Sequence, residues 1–212
     1  MNRKMSSKTI FCTPLLAVAL LAGCGAARPS SYYQLTIPGG AAPAADAPSY
    51  GVALLVGPIV ASHLYREDHI VYTSGGQSMG VYQYQRWAEP PTEMIRDILL
   101  RELRDANRFQ EVKLWGSNVR GNYLLRGHLY DFREVSGSSL VGRVTLELEL
   151  EDLRTGATVW THFYTHDEPV KSKEVSAVVA ALNQDTQQGM DEIRASLEQY
   201  FAAHPSARAR NP

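Results

Sequence analysis

A two-layer α+β domain, with a mixed or antiparallel sheet and two helices packed on one face, is the fold class this sequence predicts. Three observations carry it. Strand-like segments fill most of the chain, two segments with helical spacing interrupt and close the series, and one segment alternates cleanly. In that segment Val144, Leu146, Leu148 and Leu150 share one face, and Thr145, Glu147, Glu149 and Glu151 share the other. A sheet with one apolar face and helices with one apolar stripe bury each other in two layers. The 212 residues suffice for one such domain.

Taken in order, segment 32–37 reads as a short strand bounded by Ser31 and Pro38. Segment 39–49, rich in Ala and Pro, lacks periodicity and reads as a loop. Segment 52–60 is a nearly continuous apolar run broken by Gly57 and Pro58, as expected of a strand buried on both faces with an irregular end. Segments 70–74 and 79–85 flank Gly75 and Gly76, a hairpin pattern.

Pro90 and Pro91 open a helix whose Ile95, Ile98, Leu99, Leu103 and Ala106 share a face, and Asn107 offers its stop. Segment 111–115 is a short strand, segments 123–132 and 141–151 are longer ones, and 157–165 is the last. A long helix follows over about 172–202, with Val175, Val178, Val179, Leu182, Thr186, Met190, Ile193, Leu197 and Tyr200 in its stripe. Gly189 costs that helix roughly 1 kcal/mol relative to Ala.

Composition narrows the function classes. Hydrophobic residues make up 44% and charged residues 20%, values of a folded domain rather than a disordered chain. A formal charge of −1 with no Lys/Arg run offers nothing to nucleic acid.

The first residues read as a targeting segment: Arg3, Lys4 and Lys8 precede the apolar run 9–22. Leu21-Ala22-Gly23-Cys24 then resembles the lipobox of bacterial lipoproteins. The resemblance implies a signal peptide 1–23 that is cleaved, a lipid on Cys24, a short tether 24–31, one domain over 32–203 and a tail 204–212. It also implies the periplasmic face of the outer membrane, because neither Gly25 nor Ala26 is the Asp associated with inner-membrane retention. Cleavage removes Cys12 and leaves Cys24 as the only thiol, so the domain holds itself together by packing, with no disulfide. The remaining chain carries 18 basic against 22 acidic residues. Seven residues between Cys24 and Tyr32 reach about 25 Å, which holds the domain close to its membrane.

No residue pattern points to catalysis or a cofactor. His162 and His166 have helical ligand spacing but fall on a strand, where their Cα atoms stand about 13 Å apart, and they read as sheet-surface residues rather than metal ligands. Glu147, Glu149 and Glu151 have the separation of an inverting glycosidase pair, yet any alternating strand gives that spacing. No nucleophile elbow and no phosphate loop is present in the sequence. Aromatic residues crowd the hairpin region instead. Tyr65, Arg66, Tyr82, Tyr84 and Trp87 are therefore the candidate partner or oligomer contacts.

Four stretches, read in order, resemble the ABC-type transport auxiliary lipoproteins, a PqiC-like group serving MCE-type lipid transport systems. They are Tyr32-Tyr33-Gln34-Leu35, Leu55-Val56-Gly57-Pro58-Ile59, Ile70-Val71-Tyr72 with its Gly hairpin, and Arg86-Trp87-Ala88-Glu89-Pro90. The loop at 61–68 keeps Tyr65 and Arg66 but departs from the family's usual spacing, and Pro91 replaces an apolar residue. The resemblance implies a non-catalytic, homo-oligomeric subunit that works with an MCE-domain protein, without cofactor, metal or nucleic acid. The competing readings are a lipoprotein regulator of cell-wall synthesis, which needs a longer tether than seven residues, and a glycan hydrolase built on the glutamate strand.

The lipid on Cys24 is directly testable. Cys24→Ala is expected to abolish labelling by a clickable fatty acid and to release the protein from the membrane fraction. Persistent labelling of the variant refutes the anchor.

Overall fold

A computed structural model of the protein describes residues 28–38, 49–118 and 120–204. The expected lipid site Cys24 and most of the tail lie outside them. Eight strands and two helices follow one another: β1 (Ser31–Tyr33), β2 (Ala53–Ala61), β3 (His69–Ser74), β4 (Ser78–Trp87), α1 (Pro91–Asp105), β5 (Glu111–Leu114), β6 (Tyr123–Ser136), β7 (Leu140–Asp152), β8 (Ala157–Pro169) and α2 (Val175–Ala203). A short 3-10 turn, His63–Tyr65, follows β2. The architecture is α+β: one mixed eight-stranded sheet with two helices packed against it.

β6 organises the sheet. β7 pairs antiparallel with it from Tyr123↔Asp152 to Ser136↔Leu140, along its whole length. Two parallel partners share its other edge: β2 beside the first half, from Leu54↔Tyr123 to Ala61↔Leu129, and β3 beside the second, from Val71↔Arg133 to Ser74↔Ser136. β5 extends the sheet beyond β2, and β4 and then β1 extend it beyond β3. β8 pairs only with β7 and leaves its other edge open. The chain returns from β2 to its parallel partners β5 and β6 through the β3–β4 hairpin and α1, while the 3-10 turn joins β2 to β3 in line along one edge of β6.

Local chemistry sets the element ends. Pro91 at the first helical position of α1 gives up an amide that has no helical partner there, and Asn107 ends the helix at a positive φ of 48°. Gly75 and Gly76, at φ 64° and 104°, turn the β3–β4 hairpin. Gly57 and Pro58 shift the β2–β6 register between Val56 and Ile59.

Three expectations are corrected. The first strand stops at Tyr33, although Leu35 and Ile37 are buried. The Asn183 side chain takes the place of a strand partner there, accepting from the Thr36 amide at 2.6 Å and donating to its carbonyl at 3.2 Å. The last helix begins at Val175 rather than 172, because β8 continues to Pro169. Tyr65 and Trp87, at 1% and 0% exposure, are core residues and not surface contacts. Trp87 packs 5.4 Å from Phe132, and the Tyr65 phenol is pushed up to about 12 by burial. Large aromatics beside a hairpin looked like surface because sequence spacing does not reveal which face of a bulged strand turns inward. Here β4 holds three extra residues between His69↔Arg86 and Val71↔Val81, and that odd number swaps its faces.

Trp87→Ala should therefore cost the 3–5 kcal/mol typical of an emptied aromatic core site, read by denaturant unfolding. A loss below about 1 kcal/mol contradicts this placement.

Candidate interaction face and the buried acid behind it

The helices cover one face of the sheet and leave the other to solvent over β2, β6, β7 and β8. Alternation decides what stands there. Leu146, Leu148 and Leu150 of β7 face the helices, so Glu147 and Glu149 face outward. Pro58, Val60, Arg126, Gly127, His128, Tyr130, Glu147 and Glu149 line a cavity of about 310 Å³ on this open face. Val60, Tyr130 and Phe163 remain 51%, 44% and 55% exposed on or beside it.

The polar groups of the face are paired among themselves. Tyr130 donates to the Glu147 carboxylate at 2.7 Å, and that bond raises the phenol above its ordinary range. His128 stacks on Tyr130 at 4.1 Å, and Tyr130 meets Phe163 at 6.1 Å. Arg126 bridges Glu149 at 3.4 Å and Glu151 at 3.2 Å. The three glutamates thus act as acceptors that fix a tyrosine and an arginine on the surface. What the face offers is an aromatic platform with mixed charge, suited to recognising a partner.

The remaining candidates fall on other surfaces. Arg66 is exposed on the turn after β2. Tyr82 is half-buried and donates to Glu134 at 2.6 Å, while Tyr84 carries the Arg28 guanidinium 5.7 Å from its ring centroid. His162 and His166 are corrected in position: they lie at the margin of the helix-covered face, not on a bare sheet surface. His162 meets Glu192 and His166 meets Asp185, each at 3.1 Å, so the two rings turn to different acids of α2. Among the described residues no three His, Cys, Asp or Glu groups are placed to hold one ion.

Asp185 is the residue that pattern reading missed. Its carboxylate has 0% exposure, accepts from the Tyr164 hydroxyl at 2.5 Å and the Val144 amide at 3.0 Å, and meets His166 at 3.1 Å. Gly189 makes this possible, since a Cβ there would stand 2.8 Å from the Tyr164 ring. Burial, partly offset by the Tyr164 bond and by His166, raises the Asp185 carboxyl from its ordinary 3.8 to about 6. The signal was available: an acid three residues after Leu182 and one before Thr186 sits inside the apolar stripe.

The α+β domain hides the fully buried Asp185 between its layers and presents an aromatic open face on the other side of the sheet. Among the described residues no helix is long and apolar enough to cross a membrane. Residues 33–194 match the family of ABC-type transport auxiliary lipoprotein components. The chain belongs to that family, whose members are non-catalytic lipoprotein components of ABC-type transport systems. The fold is similar to that of protein XCC0632 from Xanthomonas campestris, of the DUF330 family, at 22% identity and a TM-score of 0.72, over 83% of this chain and 99% of that one. It is also similar to the hypothetical protein CT253 from Chlamydia trachomatis, at 10% identity and a TM-score of 0.50, over 71% of this chain and 98% of that one. No curated relative matches the sequence.

Asp185 gives a pH prediction with a defined sign. Its folded pKa lies above its unfolded value, so the stability it contributes is complete below about pH 4 and is lost as pH rises through about 6. The stability difference between the wild type and Asp185→Asn should fall by up to about 3 kcal/mol between pH ~4 and ~7. Paired thermal melts across that range measure it, and a pH-independent difference contradicts it.

Proposed function

We propose that this protein is a periplasmic subunit anchored to the outer membrane through Cys24, and that it serves an MCE-type lipid transport system without catalysing a reaction. Membership of the auxiliary lipoprotein family supports the transport role. The observation that carries the binding role is the open sheet face, with Val60, Tyr130 and Phe163 exposed around a paired Arg126 and Glu149. Tyrosine and phenylalanine on a rigid sheet bury much area at small entropic cost, and their polar rim sets orientation. The MCE-domain protein of the complex is the partner of this face. Copies of the chain associate side by side through Arg66 and the Tyr82–Tyr84 flank of the hairpin, which leaves the open face free.

Co-purification of the lipidated protein with its MCE partner tests this reading. Phe163→Glu and Tyr130→Ala should each reduce capture by at least about tenfold, the scale of an interface hot spot, and leave the melting temperature within about 2 °C of the wild type. Undiminished capture by both variants removes the open face from the interface.

A further inference from the structure

We infer that the end of the sheet bearing the β3–β4 turn lies against the lipid surface, so that this turn and the anchor form one membrane-docking face. The inference deepens the proposed function and rests on its assignment of the lipid to Cys24. Register gives the direction. β1 runs parallel to β4 with Ser31 beside Gln85, so the chain before Ser31 comes from the end where β4 begins, at Ser78. Arg28 keeps to that course, with its guanidinium over the Tyr84 ring.

Lengths then decide how near the membrane is. Seven residues from Cys24 to Ser31 reach at most about 25 Å, and the seven from Gln85 to Ser78 rise about 23 Å along the strand. Lipid begins where the acyl chains on Cys24 enter it. Even a fully straight tether puts that point only about 2 Å beyond the hairpin tip, and any bend brings it closer. A domain held so short touches the surface, and the tip is the part of it on the anchor's side.

Composition agrees, independently of length. From Ile70 to Gln85 sixteen residues carry no charge, in a chain that is 20% charged. β1 covers β4 only from Gln85 to Trp87, so the tip half of β4 is an open strand edge. Edges that face water are defended by charge, and this one has none. Met79 and Val81 are exposed there, and Tyr72, Tyr82 and Tyr84 stand behind them. An apolar tip backed by tyrosines suits the headgroup boundary of a bilayer.

The rest of this end is built alike. The β6–β7 turn from Ser136 to Leu140 is uncharged and lies beside Ser74. The β8–α2 connection adds exposed Lys171 and Lys173, flanked by Glu168 and Glu174, and Lys173 shares a shallow cavity of about 450 Å³ with that turn and Glu134. Two ammonium groups at this level face lipid phosphates. The opposite end carries Asp105, Arg108, Glu111 and Arg154 and is ordinary water-facing surface.

The test uses the lipidated mature chain in vesicles of phosphatidylethanolamine containing phosphatidylglycerol. An environment-sensitive dye is placed at Gln77→Cys on the tip or at Arg154→Cys on the opposite turn. The Gln77 dye should shift to the blue, escape iodide and be quenched by brominated acyl chains, whereas the Arg154 dye should stay aqueous. Lys171→Glu combined with Lys173→Glu should weaken the lipid quenching at Gln77, with about fivefold expected for each lysine charge removed near the surface. Fatty-acid labelling separates the two levels of the reading. A labelled chain whose Gln77 dye is as aqueous as the Arg154 dye keeps the anchor and overturns the docking. A chain without label removes the anchor and the docking with it. A Gln77 shift that follows protein concentration in the absence of vesicles assigns the tip to a second copy and also overturns the inference.

Discussion

β6 is fourteen residues long, and every backbone group along it needs a partner on both sides. β7 satisfies one edge throughout. β2 and β3 divide the second edge between them. The division leaves a discontinuity, and the β6–β7 register shifts there, between Leu129 and Asp131. Around that shared strand the remaining pieces fall into place: β5 and α1 beside β2, and the hairpin and β1 beside β3. β1, the hairpin tip and the open face are all positioned by this one pairing requirement.

The second layer is held by a polar seam inside an apolar one. α2 lays Val178, Leu182, Met190, Ile193, Leu197 and Phe201 on the sheet, and such packing alone leaves a helix free to slide or rotate. Tyr164, Asp185 and the Val144 amide allow one register only. Burying a carboxylate costs stability, and the raised Asp185 pKa is the mark of that cost. The return is orientation: with α2 fixed, its far end brings Phe201 onto Tyr50, Phe109 and Tyr123, and its near end brings Lys171 and Lys173 to the hairpin's side.

Because two helices cover only one face, the protein keeps a working surface without distorting its core. The outward glutamates of β7 illustrate how that surface is tuned. Glu147 holds Tyr130, and Glu149 and Glu151 hold Arg126, so rings and charges are presented in fixed places rather than as mobile side chains. A preorganised platform of this kind loses little side-chain freedom on meeting a partner.

The sequence alone determined what depends on local chemistry. Alternation in β7 named the buried leucines, the helical spacing and Asn107 bounded α1, and the Gly75–Gly76 pair turned the hairpin. Family membership was legible in four short stretches between Tyr32 and Pro90. Tertiary structure decided which side of a strand faces water. Tyr65 and Trp87 were expected at the surface, and a bulge with an odd number of extra residues turned Trp87 inward, while Phe163, Tyr130 and Val60 became the exposed group. Asp185 stood in plain view in its helix, yet only the meeting of Tyr164, Gly189 and the Val144 amide shows why an acid belongs there. Periodicity is a property of neighbours along the chain. Burial of a particular side chain depends on strands brought together from far apart, and no spacing within one segment encodes that.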